Sequence, residues 1–290
     1  MIGLTRVALL SSECIPANMT QRRPTIGVFD SGFGGLTVLK ALLELIPGAD
    51  YLYFGDTARL PYGSKSVETV ARYAVEAAHY LEAHGAELLV IACNTATALA
   101  LDRIKADAQV PVVGVIEPGA EAAAAVSKNK RVVVIGTEAT VSSHAYRRAL
   151  ESRGLDAREK ACPLLVPLVE EGWVEHAVTE DVARIYLNEA FADGFGDADA
   201  LVLGCTHYPL LKPLIEEVIP AGMKVIDSAE SAADHLVMLL CNDLGEPPQP
   251  EPDDPVLHFF ATDSVEKFER LGSRFLGRPV GEVGLVDLGG

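Results

Sequence analysis

Two cysteines stand in matching surroundings 112 residues apart. Cys93 closes the run LLVIAC and is followed by Asn94, Thr95 and Thr97; Cys205 closes ALVLGC and is followed by Thr206 and His207. Each ends an apolar, strand-like stretch and opens a polar turn, so each thiol falls at a strand–helix junction. Amides at a helix N-terminus favour anions, and that placement is expected to lower a thiol pKa and enrich the thiolate. A thiolate that accepts a proton and a thiol that gives one, delivered to opposite faces of one carbon, would invert a stereocentre. Inert burial is the bland alternative, common for single cysteines; two in parallel contexts count against it.

Other residues assemble around this pair. Asp30-Ser31-Gly32-Phe33-Gly34-Gly35 is a glycine-rich loop whose spacing matches neither the dinucleotide fingerprint nor the P-loop. Asp30 is either an acid or base serving Cys93 or a helix N-cap. His207 is placed to orient or deprotonate Cys205 or to bind substrate, its alternative being a satisfied loop histidine. Glu170 and Glu171 end the run VPLVEE; one of these acids is expected to reach His207, unless both belong to a solvated helix start. Asn94, Thr95 and Thr206 are neutral hydrogen-bonding groups, and with Ser31 and the backbone at Tyr62-Gly63 they suit an amino acid's carboxylates. Cys14, Cys162 and Cys241 lack such surroundings. No metal-ligand spacing occurs, and none of these motifs requires a metal or a cofactor.

Composition bounds the partners. The 290 residues are 49% apolar and 22% charged, with a formal net charge of −17. Such a balance fits a globular chain and repels nucleic-acid phosphates and anionic membranes, so neither is an expected partner. Five dispersed cysteines without a CxxC pair indicate free thiols in a reducing compartment. No apolar run approaches the ~18 residues of a membrane span, and Val7–Leu10 is too short for a signal-peptide core. A cytoplasmic location is expected.

The elements that must position the thiols alternate. Strands are expected at 25–29, 50–54, 88–92, 112–116, 131–135, 200–203 and 224–226. Helices are expected at 36–46, 67–84, 94–105, 120–126, 142–153, 174–192, 210–218 and 231–241, with a strand at 256–261 and a short helix after the Pro-rich break 246–255. Residues 1–24 form an expected flexible extension, with Met19 an alternative start. This alternation indicates an α/β protein with mostly parallel sheets flanked by helices. IGVFDS (26–31) and VVVIGT (132–137) occupy equivalent places, each upstream of one strand–Cys–Thr unit. Two similar lobes related by a pseudo-two-fold follow, one formed by 25–115 with 229–290 and the other by 116–228. The site would lie in the cleft at the strand C-terminal ends.

The motifs GVFDSGFGGLTVL (27–39), FGDTARLPYGSKS (54–66), VIACNTAT (90–97), VPVVGVIEPG (110–119), CPLLVPLVE (162–170) and LGCTHYPLL (203–211) closely resemble the glutamate racemase family, within the aspartate/glutamate racemase superfamily. Aspartate racemase relatives share the cysteine motifs but open on a different glycine-rich stretch. The resemblance covers about 25–231. It implies cofactor-independent interconversion of L- and D-glutamate, supplying D-glutamate for bacterial peptidoglycan. It implies catalysis by Cys93 and Cys205, with Asp30 and His207 assisting their respective thiols and Glu170 beside the histidine. Asp30, Ser31, Tyr62, Gly63, Asn94, Thr95, Thr206 and His207 would contact glutamate. Family members are often dimers with variable interfaces, so a homodimer is one expected assembly without a transferable geometry. Three rivals remain from the residues alone. A Cys205–His207 hydrolase leaves Cys93 unused, a two-lobed amino-acid binding protein leaves both thiols unexplained, and a redox pair would join Cys93 and Cys205 in a reversible disulfide.

Overall fold

The computed structural model describes residues 23–244 and 254–288. The extension up to residue 22, Cys14 and most of the Pro-rich break lie outside the described residues. Two parallel sheets carry the chain. The first contains β1 (Thr25–Asp30), β2 (Asp50–Gly55), β3 (Leu88–Ile91), β4 (Val112–Gly114), β9 (Leu257–Ala261) and β10 (Val283–Leu285), in the order β10-β9-β2-β1-β3-β4. The second contains β5 (Arg131–Gly136), β6 (Asp156–Ala161), β7 (Ala200–Gly204) and β8 (Lys224–Asp227), in the order β6-β5-β7-β8.

The order β2-β1-β3-β4 repeats as β6-β5-β7-β8, as the internal sequence repeat requires. In both halves the central strand is flanked on both sides and is fully apolar within: Ile26, Val28 and Phe29 in β1, and Val132 through Ile135 in β5, have no exposed surface. Such continuous apolar strands are stable only between covering helices. The register then places the chemistry. Phe29 pairs with Ile91, so two residues on, Ser31 and Cys93 leave adjacent strands at one level. Gly136 pairs with Gly204, so Thr137 and Cys205 leave their strands in the same relation.

Helices α1 (Leu36–Leu45), α2 (Val67–Ala83) and α3 (Asn94–Asp107) follow expectation within a few residues, and Ser66 caps α2 by accepting from the Thr69 amide. Elsewhere local chemistry moved boundaries. Helix α4 (Ile116–Val126) starts four residues early, because Pro118 falls in the first turn, where a missing N–H costs nothing. The single helix expected at 142–153 is two, α5 (Glu138–Ser143) and α6 (Ala145–Glu151), parted by His144 at φ 54°. Thr137 caps the first of them, and His144 is held at the break by Glu159 Oε2 at 2.8 Å.

Strand β6 was not expected. It is the edge strand of its sheet, and its sequence DAREKA has the polar, charged character of an exposed edge rather than an apolar run. Helix α7 (Leu165–Glu170) is likewise too short for a periodic signal. Helix α8 is Ala177–Ala190, α9 Lys212–Val218 and α10 Ser228–Leu244.

Past the Pro-rich break, β9 and β10 extend the first sheet and α11 (Val265–Leu276) packs across its face. Phe268 anchors α11: it is fully buried, with its ring 5.8 Å from Tyr53 and 6.5 Å from Phe33. Phe268→Ala should destabilise the fold by about 3–5 kcal/mol, the usual cost of emptying a buried aromatic site. Thermal unfolding should register a fall of roughly 10 °C; a shift within 2 °C would show that α11 is held by other contacts.

Candidate functional site

The C-terminal ends of both sheets meet around a cavity of about 490 Å³, within the size range of small-ligand pockets. Its wall includes both Cys93 and Cys205, together with Ser31, Tyr62, Gly63, Asn94, Thr95, Glu170, Thr206 and His207. Asp30, also expected to contact substrate, is 1% exposed and stands behind this wall rather than in it.

On the first sheet's side, Cys93 caps α3 and accepts a hydrogen bond from the Ala96 amide at 3.4 Å, while its thiol donates to Ser31 Oγ at 3.5 Å. Asp30 Oδ2 accepts from the Gly32 amide at 2.9 Å, whereas its Oδ1 is buried without a directed hydrogen bond. Burial raises the Asp30 pKa; the charge of His207, the amides of Gly32 and Gly35 and the Thr206 hydroxyl offset this only in part.

On the second sheet's side, Cys205 Sγ lies 4.0 Å from His207 Nδ1. His207 Nε2 faces Glu170 Oε1 at 3.4 Å, an ion-pair distance without hydrogen-bond alignment. Glu170 is therefore the acid that meets the histidine; Glu171 follows the end of α7. Burial would raise the Glu170 pKa, but contact with His207 and Lys267 outweighs it and holds the carboxyl below its usual range. The rings of Phe33 and Phe275 lie 6.1 and 5.0 Å from the imidazole and give it apolar walls.

The expected lowering of the thiol pKa values does not occur at these buried positions. Burial, with the Asp30 charge second, pushes Cys93 up to about 11 despite the Ser31 hydroxyl and the Ala96 and Ser31 amides. Burial pushes Cys205 higher still, against the His207 amide, with the charges of Cys93 and Asp30 adding to it. Desolvation of a thiolate exceeds what one helix terminus returns. Both sulfurs are thus protonated at neutral pH in this state. Ionisation of Cys93 would raise the Cys205 pKa further, which places the two sulfurs within one electrostatic neighbourhood.

The recognition residues tie the sheets together. Thr95 Oγ1, on α3, is 2.9 Å from Thr137 Oγ1 and 3.2 Å from Thr140 Oγ1. Asn94 Oδ1 accepts from Tyr146 at 2.6 Å. The Thr37 hydroxyl donates to Gly34 O at 3.0 Å and lies 3.2 Å from Thr206 O. Gly34 permits this closeness: a Cβ there would lie 2.7 Å from His207 Nδ1 and would also strike Thr206 Oγ1. Tyr62 is oriented by its hydroxyl, which donates to buried Asp56 at 2.5 Å.

Sequence reasoning missed Thr137, Glu138 and Lys267 in the wall. The repeat held the signal for Thr137, the counterpart of Ser31 by register. Lys267 left none, because it arrives on a helix more than fifty residues beyond the last motif.

The model of the Asp/Glu/Hydantoin racemase family matches residues 26–236. The chain belongs to that family. Among its members, the glutamate racemase of Koribacter versatilis is 58% identical over 94% of this chain and all of its own length. The crystal structure of a glutamate racemase isoform from Bacillus anthracis superposes with a TM-score of 0.86 at 37% identity, covering 92% of this chain and 99% of that one. That of the Francisella tularensis glutamate racemase, solved in complex with D-glutamate, gives 0.83 at 36% identity, covering 92% and 98%.

Burial of Asp30 has a measurable cost. An acid whose folded pKa is raised destabilises the fold at pH values above its unfolded pKa, and that cost disappears as pH falls to the ordinary carboxylate range. Asp30→Asn, which keeps an acceptor for the Gly32 amide, should therefore be more stable than the natural protein at pH 7, by about 1 kcal/mol. The gap should close near pH 4. Chemical denaturation at several pH values measures it, and a variant equally destabilised at every pH would contradict the assignment.

Proposed function

We propose that this protein is a glutamate racemase that interconverts L- and D-glutamate without a cofactor, by proton transfer between Cα and two thiols. The observation that carries the reading is the sharing of one cavity by Cys93 and Cys205, each delivered by the equivalent strand of its own sheet. Family membership and the D-glutamate complex of a relative at 36% identity support glutamate as the substrate.

In the proposed reaction one cysteine, as thiolate, removes the α-proton, and the other, as thiol, protonates the opposite face. The reverse direction exchanges the roles. Both thiols are protonated before substrate binds, so one must first lose its proton. Asp30, whose burial makes it a better base than an ordinary carboxylate, serves Cys93 in that step, and His207, backed by Glu170, serves Cys205. A positioned proton-transfer group contributes only ~100- to 10,000-fold. The larger part of the acceleration must come from hydrogen-bond donors aimed at the enediolate-like charge in a site from which water is excluded.

Ser31, the Tyr62-Gly63 backbone, Asn94, Thr95 and Thr206 are assigned to the substrate's carboxylates and ammonium. They are mostly neutral, which suits a strongly anionic protein that must nonetheless hold an anionic substrate. The lobes are taken as 25–115 with 229–290 and as 116–228. The physiological role is supply of D-glutamate for peptidoglycan, in the cytoplasm, with a homodimer as the assembly.

Loss of circular dichroism from L-glutamate incubated with the purified protein tests the activity, and no loss would overturn it. Cys93→Ser and Cys205→Ser should each lower racemisation by at least ~100-fold, with solvent deuterium no longer appearing at Cα of the product enantiomer. A single variant that racemises at the natural rate would exclude the two-thiol mechanism.

A further inference from the structure

Among the residues lining the cavity, the one lysine or arginine is Lys267. It comes from α11, the helix that packs on the first sheet, and its Nζ lies 3.4 Å from Glu170 Oε2. The other oxygen of the same carboxylate faces His207 Nε2, and His207 Nδ1 faces the Cys205 sulfur. Four groups thus form one line: ammonium, carboxylate, imidazole, thiol. Glu170 is 21% exposed and Lys267 47% exposed at the side chain, so the line runs from the cavity mouth inward to a buried sulfur.

Phe33 touches two members of the line. Lys267 Nζ lies 5.5 Å from the centre of its ring, and the imidazole of His207 lies 6.1 Å from the same ring. Phe275, also on α11, lies 5.0 Å from the imidazole and 5.9 Å from Phe33, so the two rings make one apolar wall beside it. Against that wall, His207 has Glu170 as its nearest ionic partner, and Glu170 divides its charge between His207 and Lys267. We propose that Lys267 is a positioning residue of the racemisation, which through Glu170 sets how firmly His207 is held and how readily it exchanges a proton with Cys205. Because Lys267 rides on α11 while Glu170, His207 and Cys205 belong to the chain of the second sheet, the contact also makes this relay depend on closure of the two halves.

The charged groups facing Glu170 can be enumerated. His207 approaches from the turn after β7 and Lys267 from α11. Arg274, two turns further along the same face of α11, lies against the backbone at Gly172. Asp30 lies beyond His207 and acts on that ring rather than on Glu170. Removing Lys267 takes away the ammonium that favours the ionised Glu170 carboxylate, so the carboxyl should accept a proton at higher pH.

The inference rests on the racemase reading, and the experiment separates the two. Lys267→Met and Lys267→Arg are assayed in parallel with the natural enzyme, measuring kcat and KM for L- and D-glutamate from pH 5 to 10. The enantiomers have equal free energy, so kcat/KM must fall by one factor in both directions. In Lys267→Met that factor should be about tenfold, a part of what a positioned proton-transfer group contributes. It should be carried mainly by kcat, with the acid limb of the kcat/KM profile moved up by about one pH unit. Lys267→Arg should restore both.

Three results would overturn the role: an unmoved acid limb, a loss confined to KM that grows as salt is lowered, or a loss that arginine does not rescue despite an unchanged melting temperature. The second of these would make Lys267 an attractor of anionic substrate instead. Absence of racemisation by the natural enzyme would defeat the racemase reading itself.

Discussion

The cost of keeping charge out of water governs this molecule. Two thiols, an aspartate and an imidazole are enclosed between the C-terminal ends of two parallel sheets, where a thiolate or a carboxylate is poorly solvated. Burial is the largest influence on Asp30, Cys93 and Cys205 alike, and in each case it overrides the amides and hydroxyls arranged to offset it. A site of this kind keeps both thiols protonated until a ligand supplies compensating charge. The same enclosure strengthens every hydrogen bond later made to a developing anion.

The two halves share a backbone plan but not its side chains. Register places Ser31 beside Cys93 and Thr137 beside Cys205, a hydroxyl next to each sulfur. Beyond that point they diverge. The first thiol has a buried carboxyl behind the wall, with amides as its closest support. The second has an imidazole, a carboxylate and, at the rim, an ammonium. Two enantiomers of equal free energy sit on either side of the proposed reaction, yet the groups that would handle the proton differ in charge and in exposure. Nothing about catalysis in both directions requires the two acids and bases to be alike; it requires only that each thiol can be found in either protonation state.

One apolar cluster, including Val28 and Val90 of the first sheet and Val133 and Leu203 of the second, joins the halves, while small residues and hydroxyls make the contacts between them around the cavity. Gly34 lets the Thr206-His207 turn approach the glycine-rich loop, and the Thr95, Thr137 and Thr140 hydroxyls bridge α3 to α5. Such contacts are individually weak, about 1 kcal/mol each, which permits opening for exchange of ligand. The anchored side of the cleft is instead aromatic: Tyr53, Phe33, Phe268 and Phe275 pack α11 against the first sheet.

The strands and helices that carry the site were legible because each obeys a local rule. LLVI, RVVVI and ALVL are too apolar for anything but buried strands, and the glycines, hydroxyls and cysteines at their ends mark the turns where parallel sheets expose chemistry. The pairing of Cys93 with Cys205 and the two-lobed plan follow from repeated order along the chain, which sequence alone records, whereas the choice of Glu170 as the acid beside His207 came from the family's motif. Strand β6 was hidden because an edge strand needs no apolar run, and the break at His144 because it depends on Glu159 of a neighbouring strand. Only the folded chain decided that the thiols would be acid-weakened rather than activated, that Asp30 would stand behind the wall, and that Lys267 would reach Glu170. Those outcomes depend on how much water the assembled elements exclude and on which distant side chains they bring within a few ångströms, and neither quantity is written in any local window of residues.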